Sequence, residues 1–414
     1  MNPLQRIEQE VLVAGQEWTR LELQRRLQEQ CDGMAMECPD SGQALKNTRR
    51  RELNLDTVAG GVKLWARYGH CVKQDQWICP ARVTYGLKPY ERKSPELQAR
   101  LASTATVVGS YAEAEQMATT WGTPVSDGCI HRQVQELGQK VPTLKLPTPT
   151  PIKDKPPFSL VIMMDGWMTR ERGPDWGAGA RKKDPQRAEW REIKSAVIYR
   201  LEQRVENAKG RGMLLEKFAV ATPPETSPVD FGKAVHAEAQ RRGMGRARVI
   251  YLVMDGAVWL WDLAEDRFKT AVKTLDLHPA RKHLQSVAET LHGAGTQAAQ
   301  GWLKAMLHGL RHGQEARTVR RLEDLLQTQS ERTAEDQKTI RREVSYFQDH
   351  REHLHYQQME KAGAPMGSGA VESLGKQLQG RLRGCGQFWT RDGLTSLLRL
   401  TVLVKNDDYS HLWN

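Results

Sequence analysis

Hydrophobic positions beyond residue 157 fall into short, bounded runs. FSLVIMMD at 158–165 and VIYLVMD at 249–255 are apolar almost throughout, the pattern of strands covered on both faces. Segments 192–200, 213–222 and 271–277 predict three more strands. Ser227 as cap, Pro228 in the first turn and Gly243 near the end bracket a helix between the third and fourth strands. A shorter helix is predicted at about 258–268, and the chain from there on, past the last strand, reads mainly helical. Ahead of this region the pattern is different. A helical pattern runs to about residue 30, 61–68 is strand-like, and two helices at 111–121 and 126–140 flank a turn at Gly122 and Pro124. Ser126 is placed to cap the second of these, with Ile130, Val134 and Leu137 as its apolar stripe. The prolines of VPTLKLPTPTPIKDKPP at 141–157 exclude both helix and ladder, which predicts a stiff linker.

Three strands, a helix, a strand, a helix and a strand is the order of the ribonuclease-H-like fold. The predicted class is therefore α/β, with a small DNA-binding region in front. The expected division is an N-terminal helix (1–30), a degenerate zinc-ribbon-like module (31–100), a helix-turn-helix (101–140), the linker (141–157), a catalytic domain (158–405) with a helical insertion at about 285–362, and a tail (406–414). The helix-turn-helix would present His131, Arg132 and Gln135 to DNA, although any helical hairpin gives the same pattern.

Charge bears on the partner. The chain has 61 Lys and Arg against 50 Asp and Glu, a net charge of +11, which suits a polyanion through counterion release. A mean hydropathy of −0.63 and the lack of an eighteen-residue apolar run predict no membrane span. With no signal-peptide pattern in MNPLQRIEQEVLVAG and six scattered cysteines, a reducing, cytoplasmic setting is expected. Paired CxxC motifs would signal zinc, but Cys38 is followed by Ser41 and Cys71 by Gln74, so each knuckle has one thiol. A set of Cys38, His70, Cys71 and Cys79 would need ligands adjacent in sequence, so metal-free packing is predicted.

The chemistry rests on three carboxylates. Both apolar runs end in Asp-Gly, at Asp165 and Asp255. An isolated Asp-Gly is usually a tight turn. In this fold order, however, the first and fourth strands are neighbours, so the two carboxylates would converge. GSGAVES at 367–373 opens a helix whose buried stripe is Val371, Leu374, Leu378 and Leu382, and Glu372 sits beside it as a third ligand. Hard oxygen ligands suit Mg²⁺ or Mn²⁺, and a pair of such ions can activate the attacking oxygen and stabilise the leaving one of a phosphodiester.

These residues, with Glu192 and Lys194 in WREIK, Ala257 and Trp259 after Asp255-Gly256, the run Leu275-Asp276-Leu277-His278, and Arg381, Arg383, Gly386 and Trp389 after GSGAVES, resemble the DDE-class transposases of bacterial insertion sequences, in the mutator-like group and nearest the Kra-type family. The resemblance covers about 158–405. It implies two divalent ions on Asp165, Asp255 and Glu372, and an insertion within the 117 positions from 255 to 372. It also implies a supporting role for Asp276 and His278 in substrate positioning, and DNA contacts from Trp259, Trp389, Arg381 and Arg383. The implied protein cuts the ends of its element and joins the 3′-hydroxyls to target DNA as a nucleoid-associated homo-oligomer. The paired cysteines usual in the family are each one short here. Two rivals stand beside this reading: a nuclease of the same fold that cuts without joining, and a transposase-derived DNA-binding protein without catalysis.

Overall fold

The computed structural model describes residues 2–148, 157–177, 184–208, 212–328 and 332–413. The chain divides into two compact units, Met1–Pro142 with Ser410–Asn414, and Thr143–Tyr409. Among the described residues no helix is long and apolar enough to cross a membrane.

The first unit opens with α1 (Pro3–Gly33), whose C-terminal half packs on an antiparallel sheet of β1 (Lys46–Thr57), β2 (Gly60–Cys71) and β3 (Gln76–Ile78). The strand expected at 61–68 is thus one member of a longer hairpin. Gln28 fastens α1 to it, accepting from Trp65 N at 2.8 Å and donating to Trp65 O at 3.2 Å. Alternation along β2 buries Val62, Leu64 and Ala66 beneath the helix. After α2 (Pro80–Thr84) come α3 (Pro95–Val107), α4 (Tyr111–Thr120) and α5 (Asp127–Lys140), which pack together as three helices. Ile130, Val134 and Leu137 are fully buried, as the stripe predicts. Ser126 stands at the cap position of α5, but its side chain makes no cap hydrogen bond. Glu115 of α4 instead accepts from Asp127 N at 3.0 Å.

The linker begins later than expected, because Val141–Thr143 forms a single 3-10 turn. Its residues 149–156 lie outside the described ones.

The second unit is built on a five-stranded mixed sheet. Its strands are β4 (Ser159–Arg172), β5 (Ala188–Arg200), β8 (Phe218–Thr222), β9 (Val249–Met254) and β10 (Val272–Leu275), in the order β10-β9-β4-β5-β8. The parallel pairs are β4 with β9 and β9 with β10, while β5 runs antiparallel to β4 and β8. This arrangement is compatible with a ribonuclease-H-like fold. Two details differ from the sequence expectation. The predicted strand at 213–222 is split: β7 (Gly212–Leu214) leaves the main sheet to pair with β6 (Arg204–Glu206), and only β8 joins it. And β4 does not stop at Asp165-Gly166 but continues to Arg172, with Trp167, Thr169 and Glu171 buried between more exposed neighbours.

One core unites the sheet with its helices. Even positions of β4 (Leu160, Ile162, Met164) meet Phe231 and Val235 of α6 (Pro228–Arg241), Leu260 of α7 (Val258–Arg267) and the helices that follow β10. These are α8 (Leu277–His292), α9 (Gln297–Arg311), α10 (Glu315–Leu325), α11 (Ala334–Asp349) and α12 (Tyr356–Lys361), the stretch in which the insertion is expected. Leu284, Met306, Leu322, Val344, Phe347 and Tyr356 carry the same core into it. Odd positions of β4 face α13 (Gly369–Leu382): Thr169 Oγ1 donates to Leu382 O at 3.1 Å. α14 (Arg391–Lys405) follows and packs beside β8. Beyond it, residues 406–408 are pinned rather than loose. Asn406 pairs with both backbone groups of Ala219 at 2.7 and 2.9 Å, and buried Asp408 accepts from Arg241.

Candidate active site

Register brings the aspartates together. Met163 lies opposite Val253 across the parallel β4–β9 pair, and the same offset sets Asp165 level with Asp255. Leu275 lies opposite Met254, which sets Asp276 level with Asp255 in turn. Neighbouring strands are about 5 Å apart, so three aspartates occupy one end of three adjacent strands. Asp165 falls on the odd face of β4, the face covered by α13, whose first turn carries Glu372. The burial of Val371, Leu374, Leu378 and Leu382 on α13 leaves Glu372 exposed beside that seam.

Electrostatics shows that the carboxylates sense one another. Burial pushes the Asp165 carboxyl up to about 6, and the charge of Asp255 pushes it the same way. The Gly166 N–H, donating to Asp165 at 2.8 Å, opposes this, while Glu372 and Glu192 add smaller upward contributions. The ionised form is disfavoured by on the order of 3 kcal/mol. Asp255 accepts one hydrogen bond, from Ala257 N at 3.0 Å. No three His, Cys, Asp or Glu side chains among the described residues stand close enough together to form a ready metal cage. The site therefore gathers hard oxygen donors around Asp165, which is costly to ionise, and a divalent cation would favour its ionised form.

Glu192 is the fourth carboxylate of the group. It sits on β5 opposite Met168, and its side chain crosses over Gly166 so closely that a Cβ there would lie 2.2 Å from Glu192 Oε1. This explains a glycine in mid-strand where the sequence suggests a turn. Lys194, buried on the same strand, has its ammonium 3.5 Å from Glu192 and 3.3 Å from Thr226 O.

Asp276 is buried and fully engaged. One oxygen accepts from His278 N at 2.6 Å, capping α8. The other accepts from Ser368 N at 2.7 Å and from the Ser368 hydroxyl. It ties the last strand to the start of α13, and so fixes the turn that presents Glu372. The His278 side chain is exposed.

The other sequence candidates separate by exposure. His131 and Arg132 are exposed on α5 and Gln135 is half-buried; the His131 ring meets Tyr111 edge-on at 5.2 Å. Trp259 is half-buried against Phe231, with its face 5.8 Å from the Lys194 ammonium. Trp389 and Arg381 are buried, and Trp389 Nε1 donates to Leu382 O at 2.7 Å. Their visible work is to brace α13 and the end of β4, where Trp389 O accepts from Arg172 N at 2.8 Å. Arg383 is exposed, 5.0 Å from the ring of exposed Trp190, a residue the sequence reading did not single out.

The cysteines form two groups. Cys31 and Cys79 lie in the apolar cluster under the hairpin, while Cys38 and Cys71 lie in another. In the second, Cys38 Sγ donates to Gln74 Oε1 at 3.6 Å, and Ser41 Oγ approaches Cys71 Sγ at 3.9 Å. The four knuckle positions therefore meet, but through hydrogen bonds. His70 faces Asp75 at 3.2 Å, so a set of Cys38, His70, Cys71 and Cys79 does not assemble.

No protein-family model matches the chain, and no curated protein does. Among solved structures the chain is similar to the Drosophila P element transposase strand transfer complex, at 10% identity over 80% of this chain and 96% of that one. The TM-score of 0.27 is too low to define a common fold.

Proposed function

We propose that this chain is a DDE-class DNA transposase, which cuts the ends of its element and joins the freed 3′-hydroxyls to target DNA. The observation that carries the reading is the register that sets Asp165 level with Asp255 on adjacent strands, where burial, then the charge of Asp255 and, more weakly, that of Glu372, raise the Asp165 carboxyl to about 6. Phosphodiester transfer requires such a set of oxygen ligands. Asp165 and Asp255, from adjacent strands, and Glu372, from α13, would hold two Mg²⁺ or Mn²⁺ ions, which supply Lewis acidity to the attacking and leaving oxygens.

The remaining roles belong to the protein's own groups. Asp276 holds the α13 turn in place through Ser368, and His278 stands exposed next to it for substrate. Lys194 offers a cation among the carboxylates. Arg383 with Trp190 gives a surface for the DNA backbone and for stacking. His131, Arg132 and Gln135 on α5 would read the ends of the element, and two ends joined in one reaction call for a homo-oligomer on DNA.

The test uses purified protein, Mn²⁺ and labelled DNA from both flanks of its gene, with Asp255→Ala alongside. Metal-dependent nicking at defined ends and joining to a plasmid, both lost in the variant, are expected. Cutting without joining would establish a nuclease instead. Specific binding without any cutting would establish a non-catalytic DNA-binding protein.

A further inference from the structure

Helix α11 and the His350 that ends it lay two polar rings over the turn that follows β9. A Cβ on Gly256 would lie 2.6 Å from Tyr346 Cε2, and 3.2 Å from both the Tyr346 hydroxyl and His350 Nε2. Only a residue without a side chain lets these rings close on the turn that begins at Asp255. Tyr346 is also held from behind. Its ring stacks on His283 with centroids 3.6 Å apart, and His283 Nδ1 lies 2.5 Å from Glu343 Oε2. Glu343 in turn accepts from Ser286 at 3.1 Å and from Arg342 at 2.5 Å. The ring is thus fixed between α8, α11 and the Asp255–Gly256 turn.

Its hydroxyl is buried and has no hydrogen-bond partner among the described residues. A buried hydroxyl left unpaired carries a free-energy cost, which a partner gained in function would offset. Both Asp276 oxygens are taken, whereas Asp255 makes one side-chain hydrogen bond. Resting on the metal-centre reading above, we propose that Tyr346 is a positioning residue that clamps the Asp255–Gly256 turn and donates its phenolic hydrogen to Asp255 when that carboxylate holds a divalent cation. A donor behind a ligating carboxylate fixes its orientation, and the loss of such a partner typically costs about 10–100-fold in metal affinity. The insertion would then complete the carboxylate centre as well as extend the core.

The experiment is a calorimetric titration of the full chain with Mn²⁺, together with thermal unfolding without metal. Tyr346→Phe keeps the ring and removes only the hydroxyl. It should bind Mn²⁺ about tenfold more weakly, with a metal-free midpoint unchanged or raised, since the deleted hydroxyl had no partner. Gly256→Ala, which pushes the ring away, should lose affinity as well. Wild-type affinity in Tyr346→Phe overturns the proposal and leaves the metal centre standing; a lowered metal-free midpoint overturns it in favour of plain packing. If wild-type protein binds Mn²⁺ no better than Asp255→Asn, the metal-centre reading itself fails and takes the proposal with it.

Discussion

Two polar clusters in this molecule have opposite internal balances. In the N-terminal knuckles, Cys38, Ser41, Cys71 and Gln74 hydrogen-bond with one another, and Gln74 Nε2 donates further to Asp40 at 2.8 Å. The Ser41 hydroxyl beside Cys38 holds its thiol below the ordinary range. At the sheet end, Asp165, Asp255, Glu372 and Glu192 are all acceptors, and burial, followed by the charges of the other three, raises the cost of ionising Asp165. The first cluster meets its own hydrogen-bonding needs. The second has one internal cation, Lys194 beside Glu192, and leaves Asp165 and Asp255 without one. Position alone does not make a metal site; what matters is whether the donors satisfy or oppose one another.

The largest effect that bears on this contrast is catalytic. On the proposed function, Asp255→Asn should lower metal-dependent strand cleavage by about a thousandfold or more, since groups acting as one unit fail together. Asp165→Asn should do the same yet raise metal-free stability at neutral pH by about 1–3 kcal/mol, because it removes a carboxylate that is costly to ionise. Chemical denaturation distinguishes this from simple damage, which lowers both. Next comes Asp276→Ala, which strands the Ser368 and His278 donors and should cost about 3 kcal/mol in unfolding free energy.

A smaller effect concerns Glu343. Burial works to raise its carboxyl, but the hydrogen bonds from His283 and Arg342 outweigh it and hold the group below the ordinary range. A depressed carboxyl gives stability that is present above its unfolded value and lost as pH falls through the folded one. Wild type should therefore lose stability below about pH 4, and Glu343→Gln should flatten that part of the pH profile while costing about 1–2 kcal/mol at pH 7. The smallest effect belongs to the knuckles. In protein free of Mg²⁺ and Mn²⁺, a zinc chelator should change wild-type stability by less than about 0.5 kcal/mol, as for surface changes that break nothing. Ser41→Cys with Gln74→Cys should instead gain zinc, measured by metal analysis.

Much of the fold was legible because continuous apolar runs such as 249–255 have few alternatives once strand order is considered. The misreadings have physical causes. Asp165-Gly166 looks like a stop, and the sequence does not show that Glu192 crosses over the glycine in mid-strand. Past it, β4 turns a charge inward at Glu171, buried beside Arg191 at 3.9 Å and Arg391 at 3.6 Å, which masks its period. The strand predicted at 213–222 divides because β7 turns away to pair with β6, a choice that depends on a neighbour. Aspartates 165, 255 and 276 were legible as positions, but the double engagement of Asp276 depends on Ser368, 92 residues away. Tyr346 and His350 carry no local signal at all; their meaning lies in contact with Gly256.

On the proposed function, the sheet-end carboxylates are poised for a divalent cation. Thermal unfolding with increasing Mn²⁺ tests it most directly, since a ligand of the native state stabilises by RT ln(1 + [L]/Kd), about 2.7 kcal/mol at a hundred times Kd. A saturating rise in wild-type midpoint, absent from both Asp165→Asn and Asp255→Asn, is the predicted result. An equal rise in all three proteins, or none in the wild type, would contradict the account.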